Sequence, residues 1–335
     1  MRLVLHFRRP SADGAFSIER VFAPLSEEFS RHYEVRSNVV PVCGARPLDV
    51  ARNIASCIGM AADIHHITGD VSYLALGLPK QSTVITIHDC VTLRRKRGIS
   101  RYLLRKIWYE WAAAGTGAVT AVSEFSKQEI CSITGIAPGR VVVVPNPVHG
   151  TFRWLDARDW PSVPRVLFLG TSQNKNLERT AVALEGLRME LRVIGRLQRE
   201  QESLLRKHRV VFSAVDGLTD ESLRAEYEAC QFVLFPSYYE GFGLPIIEAN
   251  ACGRPVITSN VCSMPEVASD AAEYVDPNSV MSIRAAVERL LVDADRRAEL
   301  VARGMRNASR FRADVIARRY MEIYAGLPQL GRCGK

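Results

Sequence analysis

Short apolar runs rich in β-branched residues alternate with amphipathic stretches along almost the whole chain. Strands are expected at Leu3–Phe7, Ile64–Ile67, Val84–Ile87, Ala118–Val122 and Val141–Val144. A second series is expected at Val166–Leu169, Leu191–Ile194, Val210–Phe212, Phe232–Phe235 and Val256–Thr258. Between them lie helical patterns at Phe16–Arg31, Leu103–Ala114, Asn176–Leu187, Glu221–Cys230 and, last, Ala313–Tyr324. Strand–helix alternation of this kind implies α/β architecture, with parallel sheets covered by helices on both faces. The chain has 335 residues, more than one ordinary core holds, so two doubly wound domains are expected. Pro145, Pro147, Pro161 and Pro164, with His149-Gly150, mark the linker between them. The divisions drawn from this pattern are residues 1–158, residues 159–312, and a terminal helix and tail, 313–335, packing back toward the first domain.

Ligands of such sheets bind at the carboxyl ends of the strands, so the loops there, and the cleft between two such domains, carry the chemistry. Residues 236–255 hold two carboxylates, Glu240 and Glu248, on either side of a loop-to-helix junction. Pro245 suits the first helical turn, while Gly253 and Pro255 suit its stop. Gly241 and Gly243 let backbone approach a ligand. The positive helix end invites an anion, so the segment reads as a site for a phosphorylated polyhydroxyl compound. The loop from Gly170 and Thr171 to Lys175 is either a diphosphate cradle or an ordinary strand–helix turn with a solvated lysine.

In the first half, His88-Asp89 at a strand end could bind a sugar hydroxyl or move a proton; otherwise it is a histidine hydrogen-bonded to a neighbouring acid. His65-His66 lacks further ligands at metal spacing and reads as part of a structural turn. Arg8 and Arg9, with Gly14 beyond them, either bring charge and close backbone to an anionic ligand or form a solvated basic turn. Asp293-Ala294-Asp295 lies in a helical pattern and reads as a surface turn, not a divalent-metal site.

Charge is uneven. Residues 1–158 hold 20 Lys and Arg against 13 Asp and Glu, net +7, and the remainder is net +1. The first half is therefore expected to face an anionic partner: a membrane surface, an acidic glycan or nucleic acid. Seven cations fall within thirteen residues: Arg94, Arg95, Lys96, Arg97, Arg101, Arg105 and Lys106. Tyr102, Leu103, Leu104, Ile107, Trp108 and Trp111 interleave with them. Either this is a basic helix drawn to an anionic bilayer surface, or its tryptophans are core and its charges solvated. No nucleic-acid module is recognisable. No run approaches the ~18 apolar residues of a membrane span, the amino-terminal run is too short for a signal peptide, and the eight cysteines form no CxxC pair. Reduced thiols and a cytoplasmic location are expected.

Taken together, these residues resemble the retaining glycosyltransferases of family 4, which have the GT-B fold of two Rossmann-like domains facing a central cleft. Glu240-Gly-Phe-Gly-Leu-Pro-Ile-Ile-Glu248 is similar to the family's Glu-x7-Glu signature. Val122-Ser-Glu-Phe-Ser-Lys127, Pro145-Asn146, Leu169-Gly-Thr171 with Lys175-Asn176, Ala251-Cys-Gly253, Pro265-Glu-Val267 and Asp276-Pro277 resemble its other landmarks. His88-Asp89 and Ser17-Ile-Glu-Arg20 resemble its mannosyltransferase-like branch. The resemblance implies hexose transfer with retention from a nucleotide sugar to a glycan acceptor, lipid-linked, in cell-surface polysaccharide synthesis. GDP-mannose is the expected donor and UDP-glucose or another nucleotide sugar the alternative. Other classes on the same fold are an epimerase or phosphorylase and a non-catalytic nucleotide-sugar-binding protein.

The resemblance assigns Glu248 to the ribose hydroxyls and Glu240 to the donor sugar. The backbone of Gly241, Phe242, Gly243 and Leu244 is assigned to sugar and phosphate, with Gly170, Thr171 and Gly14 completing donor binding. Lys175 neutralises the leaving diphosphate, and His88 contacts the sugar from the first domain. Acceptor or membrane contacts fall to Arg8, Arg9, Asp89, Arg94, Arg95, Arg97, Arg101, Arg105 and Trp108. No cofactor and no divalent metal is expected. Many relatives carry arginine where Thr171 stands, so either Arg196 completes the phosphate site or Lys175 and the helix end suffice.

Overall fold

The computed structural model describes residues 1–9, 17–154 and 160–328; Gly14 and the expected 158/159 boundary lie outside them. The chain divides into two compact units, one formed by Met1–Pro147 with Ala313–Lys335 and the other by Val148–Arg312. The second unit thus starts within the proline cluster, ahead of 158/159.

In the first unit, β1 (Arg2–Phe7), β2 (Glu34–Val39), β3 (Ile64–Ile67), β4 (Thr83–Ile87), β5 (Ala118–Ala121) and β6 (Val141–Val143) form one sheet. Its order is β2-β1-β3-β4-β5-β6, paired in parallel. In the second unit, β7 (Arg165–Leu169), β8 (Glu190–Ile194), β9 (Val211–Val215), β10 (Phe232–Phe235), β11 (Val256–Ser259) and β12 (Glu273–Val275) form another parallel sheet, ordered β12-β11-β10-β7-β8-β9. Strand order reverses between β1 and β3 in the first sheet and between β7 and β10 in the second. At each reversal the crossovers leave in opposite directions and open a crevice at the strands' carboxyl ends.

β2 and β12 escape the apolar-run pattern. β2 reads Glu-Val-Arg-Ser-Asn-Val and lies at a sheet edge, where polar side chains face water and protect an open edge. β12 has three residues, and its buried Glu273 is held by Arg289 at 3.0 Å and Arg296 at 2.9 Å. The expected helix Leu103–Ala114 is interrupted. A helix runs over Gly98–Leu104, a wider π turn follows at Arg105–Trp111, and Ala112–Ala114 closes it. Asp293 is the N-cap of Ala294–Ser309, its Oδ1 accepting from Arg296 N at 2.8 Å.

The terminal helix Ala313–Ala325 belongs to the first unit through aromatic packing. Tyr320 and Tyr324 meet Phe22 and Phe29 of the helix Ser17–Ser30, with ring centroids 6.0 Å apart for Phe22–Tyr320 and 5.6 Å for Phe29–Tyr324. Both phenols reach polar partners in the core, as buried tyrosines require. Tyr324 Oη lies 2.6 Å from His66 Nδ1, and Tyr320 Oη 3.3 Å from Thr86 Oγ1.

Of the two expectations for His65 and His66, the strand Ile64–Ile67 holds and the turn does not. They occupy β3, fully buried, and the turn begins beyond Ile67. His66 Nε2 meets Thr86 Oγ1 at 2.8 Å, and His6 Nε2 meets His65 Nδ1 at 3.1 Å. Polar partners on neighbouring strands let histidines stand where β-branched residues would. Burial holds His6 and His66 down to about 3, against 6.5 for a free histidine, and lowers His65 as well.

These histidines stay neutral in the fold and ionise in the unfolded chain. Stability is therefore complete above pH 6.5 and falls as pH drops from there toward about 3. Each histidine contributes a slope approaching ~1.4 kcal/mol per pH unit. Urea unfolding between pH 7 and pH 4.5 is expected to show uptake of more than one proton; a flat profile would exclude this account.

Candidate functional site

The crevice of the second sheet is built from the loops after β7 and β10. Gly170 leaves β7 with φ +89°, and a Cβ there would stand 2.8 Å from Lys175 Cε. Glycine is thus needed both for the backbone and to give the lysine room. The chain makes a short 3₁₀ turn, Gln173–Lys175, then passes through Asn176 in the left-handed region (φ +66°) into the helix Leu177–Ala183. Asn176 is buried, and its amide donates to Pro236 O at 3.0 Å and Pro277 O at 2.8 Å. One side chain thus ties three loops together.

Lys175 Nζ meets Glu240 Oε1 at 2.7 Å, with side chains 19% and 14% exposed. The ammonium also lies 4.6 Å from the centre of the Phe235 ring, a cation–π contact. Asn174 Nδ2 donates to Tyr239 O at 3.0 Å and to Glu240 Oε1 at 3.3 Å, and Tyr238 N donates to Asn174 O at 2.8 Å. The sequence marks Asn176 only as part of a family landmark and Asn174 not at all, because the groups each one holds are distant in sequence.

Glu240 sits in the loop before the helix Leu244–Ala251 and Glu248 inside it, with Pro245 in the first turn and Gly253 left-handed (φ +66°) after the last. Gly243 starts the helix at φ +103°. Phe242 is core, edge-on to Phe311 at 5.7 Å, so only its backbone can reach a ligand. Ser263 Oγ lies 2.9 Å from Glu240 O and 2.8 Å from Phe242 O and fixes this turn. Glu248 is buried, and its Oε2 accepts from Tyr227 Oη at 2.8 Å. Thr171 Oγ1 donates to Arg196 O at 2.9 Å, so Arg196 does border the loop whose arginine is missing. Arg196 itself is exposed.

The first unit places its own residues at its own crevice. His88 follows β4 and lies 2.8 Å, through Nε2, from Thr68 O; a carbonyl only accepts, so Nε2 carries the proton. A Cβ on Gly69 would stand 2.8 Å from His88 Cδ2, so glycine makes space for the ring. Asp89 is not the partner of His88: its Oδ1 accepts from Val91 N at 2.9 Å, and burial raises its carboxyl above the ordinary range. Arg8, Arg9, Asp70, Tyr73 and Trp108 line one cavity beside β1. Arg8 Nη1 donates to Asp70 Oδ2 at 2.6 Å and Arg9 Nη1 to Pro41 O at 2.6 Å. Trp108 Nε1 donates to Asp70 O at 3.0 Å, and the indole stands edge-on to Tyr73 at 4.8 Å.

Trp108 therefore belongs to this cavity and not to an exposed basic helix. Arg94 pairs with the buried Glu129, and Arg105 meets Glu110 at 2.9 Å. Arg97 and Arg101 are exposed, beside Ile99 (79%), Tyr102 (54%), Leu103 (49%) and Trp111 (54%). The Arg95 side chain lies outside the described part of the structure. Among the described residues no cluster of His, Cys, Asp or Glu is placed to hold a metal ion, and no helix is long and apolar enough to cross a membrane.

The family model Glycosyltransferase Family 4 matches residues 18–150, and that of Glycosyl transferases group 1 matches residues 163–306. The chain belongs to the group 1/family 4 glycosyltransferases. The serotype-specific mannosyltransferase WbdA of Escherichia coli is 29% identical over 326 residues, a match covering 87% of this chain and 39% of WbdA. This chain thus spans well under half of that relative. O-antigen chain mannosyltransferase B of Escherichia coli is 38% identical over 92 residues, covering 28% of this chain and 24% of its own. Sucrose-phosphate synthase from Thermosynechococcus elongatus superposes with a TM-score of 0.79 at 18% identity, covering 97% of this chain and 98% of its own. WaaG, a glycosyltransferase involved in lipopolysaccharide biosynthesis, gives 0.74 at 16% identity, covering 97% and 100%. These likenesses establish the fold as GT-B.

In this family member the site frame rests on Asn176. Asn176→Ala removes two buried hydrogen bonds and puts a Cβ-bearing residue without a polar side chain at φ +66°. A loss of about 2–4 kcal/mol in stability is expected in urea unfolding, with Asn176→Gly roughly 1 kcal/mol milder.

Proposed function

We propose that the chain is a retaining hexosyltransferase that moves mannose from GDP-mannose to a glycan acceptor on a lipid carrier, in O-antigen-type polysaccharide synthesis. The observation that carries this reading is the Lys175–Glu240 pair at 2.7 Å, set where strand order reverses between β7 and β10. The mannosyltransferase relatives support the choice of sugar.

In this reading the donor diphosphate takes Lys175 as its cation, beside the positive end of the helix Leu244–Ala251. Glu240, held by Asn174 and Lys175, is then offered to the sugar hydroxyls. Glu248 receives the ribose. Charge developing on the leaving diphosphate is stabilised by a preorganised lysine and helix end, with no divalent metal required. The acceptor hydroxyl attacks the face from which the diphosphate departs, and the leaving phosphate takes its proton, so configuration is retained. In the first unit, His88 is assigned to the donor sugar, and the Arg8, Arg9, Tyr73 and Trp108 cavity to the acceptor: its arginines suit phosphate and its rings a sugar face.

A thermal-shift screen of GDP, UDP and their sugars tests the donor. GDP-mannose is expected to raise Tm, and the rise is expected to shrink strongly in Lys175→Ala. Lys175→Ala should lower kcat about 10²–10³-fold. Stabilisation by none of these ligands would overturn the reading.

We also propose peripheral binding to an anionic membrane through Ile99, Tyr102, Leu103 and Trp111 with Arg97 and Arg101. Sedimentation with anionic vesicles should exceed that with neutral vesicles at low salt and weaken with added salt. Equal binding to both at low salt would remove the electrostatic account.

A further inference from the structure

Tyr227 lies on the helix Asp220–Ala229, ahead of β10, and belongs to no motif of the site. It is among the largest fully buried side chains of the chain. Its hydroxyl donates to Glu248 Oε2 at 2.8 Å. The main-chain carbonyl of Tyr227 accepts from Arg254 Nε at 2.8 Å, which anchors the backbone, and Phe152 packs edge-on against the phenol ring at 5.6 Å.

A glutamate only 4% exposed needs donors for its oxygens, and an unheld side chain would sample several rotamers. Burial, and then the charge of Glu248, raises the phenol well above its ordinary pKa, so it remains a donor. A neutral donor also leaves the negative charge of the carboxylate in place. A carboxylate offers about four lone-pair directions, and the phenol takes one.

We propose that Tyr227 is a positioning residue for ribose recognition: by holding Oε2 of Glu248 it fixes the carboxylate in the orientation that accepts from the donor's ribose hydroxyls. This rests on the assignment of Glu248 to the ribose. A vicinal diol presents two donors in fixed geometry, so a carboxylate that swings loses the paired contact even though its charge remains.

The test titrates GDP, with UDP in its place if the thermal-shift screen selects it, together with the 2′-deoxy and 3′-deoxy forms. The wild-type protein is expected to bind the intact nucleotide about tenfold more tightly than either deoxy form. Glu248→Gln and Tyr227→Phe are each expected to lose most of that discrimination. Tyr227→Phe should also raise KM for the donor while kcat stays within about twofold. The double variant should match Glu248→Gln alone, and because it carries no buried carboxylate it provides the comparison even if Tyr227→Phe folds poorly. Wild-type discrimination that persists in Tyr227→Phe but is lost in Glu248→Gln would overturn the role of Tyr227. So would a further loss in the double variant. No discrimination by the wild-type protein would overturn the ribose assignment of Glu248 and this proposal with it.

Discussion

Parallel pairing of β7 with β10 brings together two loops whose site residues, Lys175 and Glu240, are 65 positions apart in the chain. A parallel neighbour must be reached by a crossover, and here the crossovers leave the two strands in opposite directions. The two loops are therefore kept apart at their far ends and pressed together at the strand ends. The site depends on that arrangement. Without it the lysine has no carboxylate, Asn176 has no carbonyls at Pro236 and Pro277, and Phe235 does not lie beneath the ammonium.

The same crevice holds charge that is largely out of water. A largely desolvated pair is costly if either partner is removed, and it is kept favourable here by a close contact, an aromatic face and a neighbouring amide. The pair holds the Lys175 ammonium in one place before any ligand arrives. Glu248 is handled differently, with a neutral phenol in the core. The first unit follows a related rule. His6, His65, His66 and Tyr324 share buried hydrogen bonds with one another and with Thr86 across β1, β3, β4 and the terminal helix, and the neutrality of the histidines makes that core sensitive to acid.

Much of this is legible in the sequence. Ten of the strands are apolar runs, and the Pro245 and Gly253 positions place Glu240 outside and Glu248 inside a helix. What escapes a sequence reading does so for physical causes. β2 is polar because it is an edge, and β12 is too short to make a pattern. The strand Ile64–Ile67 is legible, but what holds His65 and His66 within it is not, because their partners, His6, Thr86 and Tyr324, are remote in sequence. Trp108 shares a helical segment with exposed Trp111, and periodicity cannot say which of the two turns inward once a π turn shifts the phase.

The sequence by itself determined the α/β class, the two-unit plan, the family signature and the residue types that stand at the strand ends. Those follow from local rules: β-branched runs, proline and glycine at helix ends, and acids at fixed spacing. Only the tertiary structure decided which side chains share a contact. It paired Lys175 with Glu240, gave His88 to the Thr68 carbonyl and Asp89 to the Val91 amide, and set Tyr227 against Glu248. Such pairings depend on the order in which strands lie side by side, and strand order is a property of the packed sheet that no local stretch of sequence contains.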